Sequence, residues 1–287
     1  MEMTLETTHA STTGRHGNSD RPTAVARLTC VRSVTPVAIG AKGKAMELDE
    51  YRRIAAVEER HWWYDATREL LAEQLRPWLV PDGRYLDAGG GTGATGSWLA
   101  REGRLTACDL EPLALQLYAE THPEVTGLAV GDLGRLPFAP HVFDAAVCVT
   151  VLYHAAVRSP AAVVGELARV VRPGGVVALL EPGIRRLRRA HDRQTHAGRR
   201  FSLGDLRRLL VDNGLAVERA TGAYAFLVPP AAVLAVVDRS GRSSDLDRSD
   251  GNGAAVLAGA ARAERAVLRR VPLPFGLSVL AVGRVRA

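Results

Sequence analysis

The 287 residues are 47% hydrophobic and 24% charged, with a formal net charge of +6. This ordinary globular composition allows one large domain with appendages and leaves soluble and membrane-surface roles both open. No run approaches the eighteen or so apolar residues of a spanning helix, and the arginines come without a helix-turn-helix, zinc-finger or RNP-like signature, so nucleic acid is not the expected partner.

Residues 1–45, rich in Thr, Ser, Arg and Gly, show neither a helical nor an alternating period. They read as disordered or as an upstream extension of the reading frame, with Met46 as the expected start. Between Leu48 and Trp78 the apolar residues Tyr51, Ile54, Ala55, Trp63, Leu70, Leu71, Leu75 and Trp78 recur largely at three-to-four spacing. That pattern predicts two helices, an N-terminal cap over 46–83 that ends at Pro81-Asp-Gly83. The remainder, 84–287, reads as a single catalytic-type domain. Strands are expected at Arg84–Ala88, Leu105–Cys108, Val125–Val130, Val142–Val151 and Gly175–Leu180. Helices are expected through Ser97–Ala100, from Pro112, and over Pro160–Val171. A helix at Ser202–Asn213, a strand near Ala216–Arg219 and a last strand at Leu277–Val285 follow, with a mobile loop near 240–253. Strands alternating with crossover helices imply an α/β, doubly wound parallel sheet of about seven strands with helices on both faces, which binds ligands beyond the carboxyl ends of its strands. Cys30, Cys108 and Cys148 form no CxxC pair and are odd in number, which suits a reducing, cytoplasmic setting with Cys108 and Cys148 as small core residues.

The loop after the first strand, Asp87-Ala-Gly89-Gly90-Gly91-Thr-Gly93-Ala-Thr-Gly96, fits two registers. Gly91-x-Gly93-x-x-Gly96 is the dinucleotide fingerprint, whereas Asp87-x-Gly89-x-Gly91-x-Gly93 sets a carboxylate where a pyrophosphate would otherwise lie. A carboxylate repels pyrophosphate and attracts a cationic ligand, and S-adenosylmethionine carries both an ammonium and a sulfonium. Asp109, ending the second strand, can accept from two ribose hydroxyls with either cofactor. Asp132, after the third strand, is placed to receive an adenine amino group and favours the second register. No Lys follows Gly96, so a Walker loop is excluded.

These residues resemble the class I S-adenosylmethionine-dependent methyltransferases, from Leu86-Asp-Ala-Gly-Gly-Gly-Thr-Gly93 through Gly131-Asp-Leu-Gly-Arg-Leu-Pro-Phe138, Phe143-Asp144 and Arg169-Val-Val-Arg-Pro-Gly-Gly175. The resemblance implies a Rossmann-like methyltransferase sheet. It also implies that Asp87, Gly89, Gly90, Gly91 and Gly93 hold the methionine part of the cofactor, Asp109 with Leu110 the ribose side, and Asp132 with Leu133 the adenine. Gly90 stands where the family usually has another small residue or Cys. The flanks Glu58-Glu-Arg-His-Trp-Trp-Tyr64, His191-Asp-Arg-Gln-Thr-His196 with Arg199-Arg200-Phe201, and Leu273-Pro-Phe-Gly-Leu-Ser278 look like a narrower bacterial subgroup, methyltransferase type 11 or ubiquinone-methylase-like. In that subgroup two arginines follow the first motif. Here Thr67-Arg68 stands in their place, so a contact to the cofactor carboxylate falls to Arg68.

Methyl transfer needs chiefly an oriented nucleophile in a dry pocket, and a base only when the acceptor arrives protonated. His154, in Val151-Leu-Tyr-His154 after the fourth strand, is the candidate base, because imidazole titrates near neutrality. Tyr153, His61, Trp63, Tyr64, His191 and His196 are the candidate acceptor contacts. On one helix the aromatic residues of His61-Trp-Trp-Tyr64 cannot all face inward, so at least one is ordinary packing. His191 and His196 sit at i and i+5, off one helical face, and no metal is expected. The run Arg185-Arg-Leu-Arg-Arg189 precedes the apolar stretch Phe226–Val237. An anionic or lipid-linked acceptor met at a membrane surface is therefore a further expectation. The expected reaction is methylation of a small molecule, with oxygen favoured. The alternatives are a non-catalytic S-adenosylmethionine-binding protein and an NAD-dependent oxidoreductase.

Overall fold

The computed structural model describes residues 48–184, 199–237 and 252–286. Helices α1 (Leu48–Val57) and α2 (Trp62–Leu75) precede strand β1 (Gly83–Ala88). Then follow β2 (Gly103–Asp109), α3 (Pro112–Thr121), β3 (Gly127–Val130), β4 (Phe143–Val149), α4 (Pro160–Val170) and β5 (Val171–Pro182). The chain continues with α5 (Leu203–Asp212), β6 (Leu215–Ala223), α6 (Val228–Val237), α7 (Asn252–Leu268) and β7 (Ser278–Val285). The stretches 1–45 and 185–198 fall outside the described residues. So does the loop near 240–253, apart from Asn252 and Gly253, which open α7.

The seven strands form one sheet in the order β3-β2-β1-β4-β5-β7-β6. The first five are parallel and β7 runs antiparallel between β5 and β6. The reversal of β7 corrects any reading of the sheet as wholly parallel. Once β6 is placed, a strand entering from α7 fills the gap between β5 and β6 running the other way.

Local chemistry starts the helices cleanly. Pro112 and Pro160 sit in the first turns of α3 and α4, where no amide is needed, behind Glu111 and Ser159, whose side chains accept from Leu113 N at 3.1 Å and Ala162 N at 3.1 Å. Ser202 and Asp205 make a reciprocal capping box at α5.

The strands' period of two divides the core between the two faces of the sheet. Leu86, Ala88, Cys108, Ala146, Cys148, Val177 and Leu179 face α4 and α5. Tyr85, Leu105, Ala107, Ala145, Val147, Val176, Ala178 and Leu180 face the other way, with Leu71 and Leu75 of α2 and Tyr118 of α3. Cys108 and Cys148 are buried free thiols. Leu71 and Leu75 are fully buried in that face, each worth about 1.5–3 kcal/mol of apolar burial, so α2 is held on the sheet by its own core residues. On its other side α2 meets α7 through Glu73, which accepts from Arg269 at 2.9 Å and Arg265 at 3.3 Å, and through an ion pair between Glu69 and Arg265. Among the described residues no helix is long and apolar enough to cross a membrane.

Candidate functional site

All five parallel strands end on the same edge, and the chemistry-bearing residues gather there. Alternation in β1 turns Asp87 to the α3 side, where its carboxylate is 1% exposed and its Oδ2 accepts from the Tyr118 hydroxyl at 3.1 Å. The glycine loop wraps this carboxylate. A Cβ on Gly96 would lie 2.0 Å from Asp87 Oδ2 and one on Gly90 would lie 2.7 Å from it. Burial pushes the Asp87 carboxyl up to about 7, against the pull of Tyr118. Asp87 thus buttresses the loop from beneath instead of lying open to the cleft. The helix expected through Ser97–Ala100 is a one-and-a-half-turn 3-10 helix, Ser97–Arg101. Gly96 is pressed onto Asp87, and Gly93 takes a φ of +99° beside the His122 ring, so the chain enters this segment in tight turns without a side-chain cap. The dinucleotide register needs the N-terminus of a true helix aimed at the ligand, and this segment does not supply one.

Gly96→Ala is predicted to unseat the loop. The methyl group would lie 2.0 Å from Oδ2, 2.1 Å from Cγ and 2.5 Å from Oδ1 of Asp87, so the carboxylate or the loop must move. The variant should lose cofactor-site binding in calorimetry and melt at lower temperature.

Asp109 closes the loop from the neighbouring strand. Its Oδ2 accepts from Gly91 N at 2.9 Å and its Oδ1 from Glu111 N at 3.0 Å, and burial raises its pKa despite these amides. Each oxygen keeps capacity for a further donor, which is what a ribose diol requires. Leu110 beside it is 44% exposed, an apolar side chain left uncovered at the rim. Asp132 is exposed and accepts from Gly134 N at 2.8 Å, capping the one-turn helix Leu133–Arg135, and Leu133 is buried behind Gly89. Glu166 and Arg169 of α4 fix this third-strand loop. Glu166 accepts from Leu136 N at 2.7 Å, and Arg169 donates to Phe138 O at 2.8 Å and Leu136 O at 3.1 Å.

After β4 the chain turns at Thr150 (φ +53°) into Val151–His154. Glu181, fully buried at the end of β5, holds this turn, accepting from Val151 N (3.1 Å), Leu152 N (2.8 Å) and Tyr153 N (3.2 Å). Burial pushes its carboxyl up to about 8 while the three amides pull down. Tyr153 and His154 are half-buried with ring centroids 4.1 Å apart. Sequence reasoning missed Glu181. Its one signal was an acid closing an apolar strand, Leu179-Leu180-Glu181.

The cap reaches the same edge. Arg68 donates to Ala94 O of the glycine loop at 2.8 Å and to Asp65 at 2.5 Å, so its guanidinium already spans cap and loop. His61 caps α2 through Nδ1, which accepts from Trp63 N at 3.3 Å. Trp62 packs edge-on against Tyr224 in the cap's own core, which makes it the packing member expected of the aromatic group. Trp63 is half-buried and edge-on to buried Tyr64 at 5.0 Å. Tyr51 was not anticipated. It is buried, and burial, together with the charges of Asp109 and Glu111 and the Tyr153 phenol, pushes its own phenol up, so α1 covers the interval between the second-strand acid and the fourth-strand turn. His191 and His196 lie outside the described residues.

The loop fits a ligand laid against its backbone. Gly91 holds a φ of +55°, and a Cβ there would meet nothing within 4 Å, so its outer side is open. Behind that opening Asp109 presents a carboxylate and Asp87 a second one beneath the loop.

Residues 86–179 match the family described as a methyltransferase domain. Demethylmenaquinone methyltransferase of Mycobacterium marinum is 31% identical over 139 residues, covering 48% of this chain and 56% of that protein. The chain spans about half the length of the curated relatives it matches. Among solved structures, a chain of the Haloferax volcanii complex between a methyltransferase and its activator superposes with a TM-score of 0.56 at 20% identity, covering 85% of this chain and all of that one. Haemonchus contortus phosphoethanolamine N-methyltransferase 2, in complex with S-adenosyl-L-methionine, gives 0.53 at 15% identity, covering 85% and 61%. At these identities the structural likeness is one of fold.

Proposed function

We propose that this chain, which belongs to the class I S-adenosylmethionine-dependent methyltransferases, transfers a methyl group from that cofactor to a small-molecule acceptor. The observation that carries the reading is the pairing of an open Gly91 backbone with Asp109 and Asp87 at adjacent strand ends. When bound, S-adenosylmethionine supplies an electrophilic methyl on a cationic sulfur. Asp109 would accept the ribose hydroxyls, Leu110 and Asp132 would flank the adenine, and Asp87 under the loop would offset the ligand's positive charge. Arg68, through Ala94 O, holds cap and loop together around the methionine end.

The acceptor we infer is a phenol or quinol, bound between the cap aromatics Trp63 and Tyr64 and the turn carrying Tyr153 and His154. His154 would take the hydroxyl proton, leaving an oxyanion to displace the methyl group from the cofactor's sulfur, which would leave as the neutral thioether. The name of the Mycobacterium marinum relative, a demethylmenaquinone methyltransferase, supports a quinone-type acceptor. The buried free thiols Cys108 and Cys148 support a reducing, cytoplasmic setting for the reaction, with the acceptor met in solution or at a membrane surface.

The test is methyl transfer from labelled cofactor to a panel of phenols and naphthoquinols, with the methylated atom identified by mass spectrometry and NMR. His154→Asn should lower kcat by about 10²-fold or more while leaving cofactor affinity unchanged, with the smallest loss for acceptors already ionised. An equal loss across all acceptors would remove the base role. No transfer to any acceptor, with cofactor binding intact, would favour a binding protein.

A further inference from the structure

We propose that Glu58, Glu59 and His122 form a site for one first-row divalent cation that staples the N-terminal cap to the back of the glycine loop. Glu58 and Glu59 follow α1, and His122 ends α3, so the three residues join the cap to a helix of the sheet layer at the point where α1 packs on α3. His122 Nε2 lies 3.7 Å from Glu58 Oε1 and 3.8 Å from Glu59 Oε1, and the three potential ligand atoms lie within 4.8 Å of one another. Ligand atoms bound at about 2.0–2.2 Å around a tetrahedral ion are separated by about 3.4 Å, so each imidazole–carboxylate distance is within a few tenths of an ångström of that spacing, and the acids need only close the remainder of a separation already within 4.8 Å.

Burial separates this group from an ordinary surface cluster of acids. Glu58 is fully buried and His122 is 6% exposed, yet Glu58 Oε1 and His122 Nε2, the two atoms that face each other, have no hydrogen-bond partner. Unpaired polar atoms at such depth are costly, and an ion between them satisfies both. The surrounding contacts orient the ligands as a metal site requires. The Thr92 hydroxyl donates to the other oxygen of Glu58, and Glu124 Oε1 stands 3.7 Å from His122 Nδ1, the nitrogen that a metal-bound imidazole turns to an outer carboxylate. Gly93 leaves the ring its space, since a Cβ there would lie 2.3 Å from His122 Cδ2. Two carboxylates with a neutral imidazole carry a charge of −2 and a mixed oxygen–nitrogen donor set, which suits Zn²⁺, Mn²⁺ or Fe²⁺ better than Mg²⁺. Glu59 Oε1 is also 3.5 Å from Arg68 Nη1, so filling the site would loosen Arg68 from Glu59 and leave it to Ala94 O and Asp65.

The probe is Zn²⁺ alone, titrated into the full chain against a chromophoric chelator, with melting followed in parallel. One ion per chain should bind and raise Tm, and Mg²⁺ should do neither. Glu59→Gln, at a half-exposed position that folding tolerates, and His122→Gln should each weaken Zn²⁺ by at least about tenfold and abolish the rise in Tm. Zinc bound equally by the wild type and Glu59→Gln would place the ion elsewhere and overturn the proposal. So would an absence of binding by the wild type, which would leave a buried His–Glu ion pair.

Discussion

Asp109→Ala is expected to weaken cofactor binding strongly while the protein stays folded. The substitution removes the carboxylate that the ribose hydroxyls need and strips the Gly91 and Glu111 amides of their shared acceptor, which sits 2.9 and 3.0 Å away. Each of these half-buried amides left unpaired costs up to about 1–3 kcal/mol, and a lost pair of hydrogen bonds to a charged group costs a similar amount. Together they lower affinity for S-adenosylhomocysteine by about 10²-fold or more. Asp109→Asn separates the two effects, since its carbonyl oxygen can keep one amide while its NH2 group opposes the other. Calorimetry on both variants, with circular dichroism to establish the fold, gives the comparison. Equal affinity in wild type and Asp109→Ala would move the ribose away from this strand end.

Glu181→Leu is expected to cost about 3 kcal/mol or more of stability, because three backbone amides of the fourth-strand turn lose a carboxylate acceptor at once. Turnover should fall with it. The turn sets Tyr153 and His154, whereas the glycine loop and Asp109 lie on other strands, so cofactor affinity should change less than kcat. The buried carboxyl also imposes a pH dependence. Its pKa is held at about 8, above the ordinary carboxylate range, so folding favours the protonated form. That contribution is full below the ordinary glutamate value of about 4.3 and is lost as pH rises towards 8. Asp87, held at about 7, acts in the same direction over the lower part of the window. Stability of the ligand-free protein should therefore decline between about pH 5 and pH 8, and Glu181→Gln should flatten much of that slope. Denaturant midpoints across the range decide it, and a wild-type midpoint that rises with pH would contradict the assignment.

The sheet was legible because its strands are short apolar runs punctuated by turn residues and separated by amphipathic helices, a signal local to each segment. The antiparallel β7 was not. Direction within a sheet depends on where the preceding helix leaves the chain, and nothing in Leu277–Val285 encodes that. Asp87 and Asp109 could be named from their positions at strand ends, but the inward turn of Asp87 follows from the packing of Gly90, Gly96 and Tyr118 around it. Glu181 and the Glu58–His122 contact went unread for a related reason. Their partners are 28 to 30 and 64 residues away, and a lone acid at the end of a strand or helix looks like surface until the opposing element is placed. Arg68 illustrates the opposite case. It was expected beside the cofactor and lies beside the loop that would hold one, bonded to Ala94 O.

The most direct test of the central claim is calorimetric titration of the wild-type chain with S-adenosylhomocysteine and, separately, with NAD. The account predicts micromolar binding of S-adenosylhomocysteine at one site per chain and no heat with NAD. Binding of NAD alone would mean that the loop cradles a pyrophosphate, with Asp87 beneath it serving only the fold.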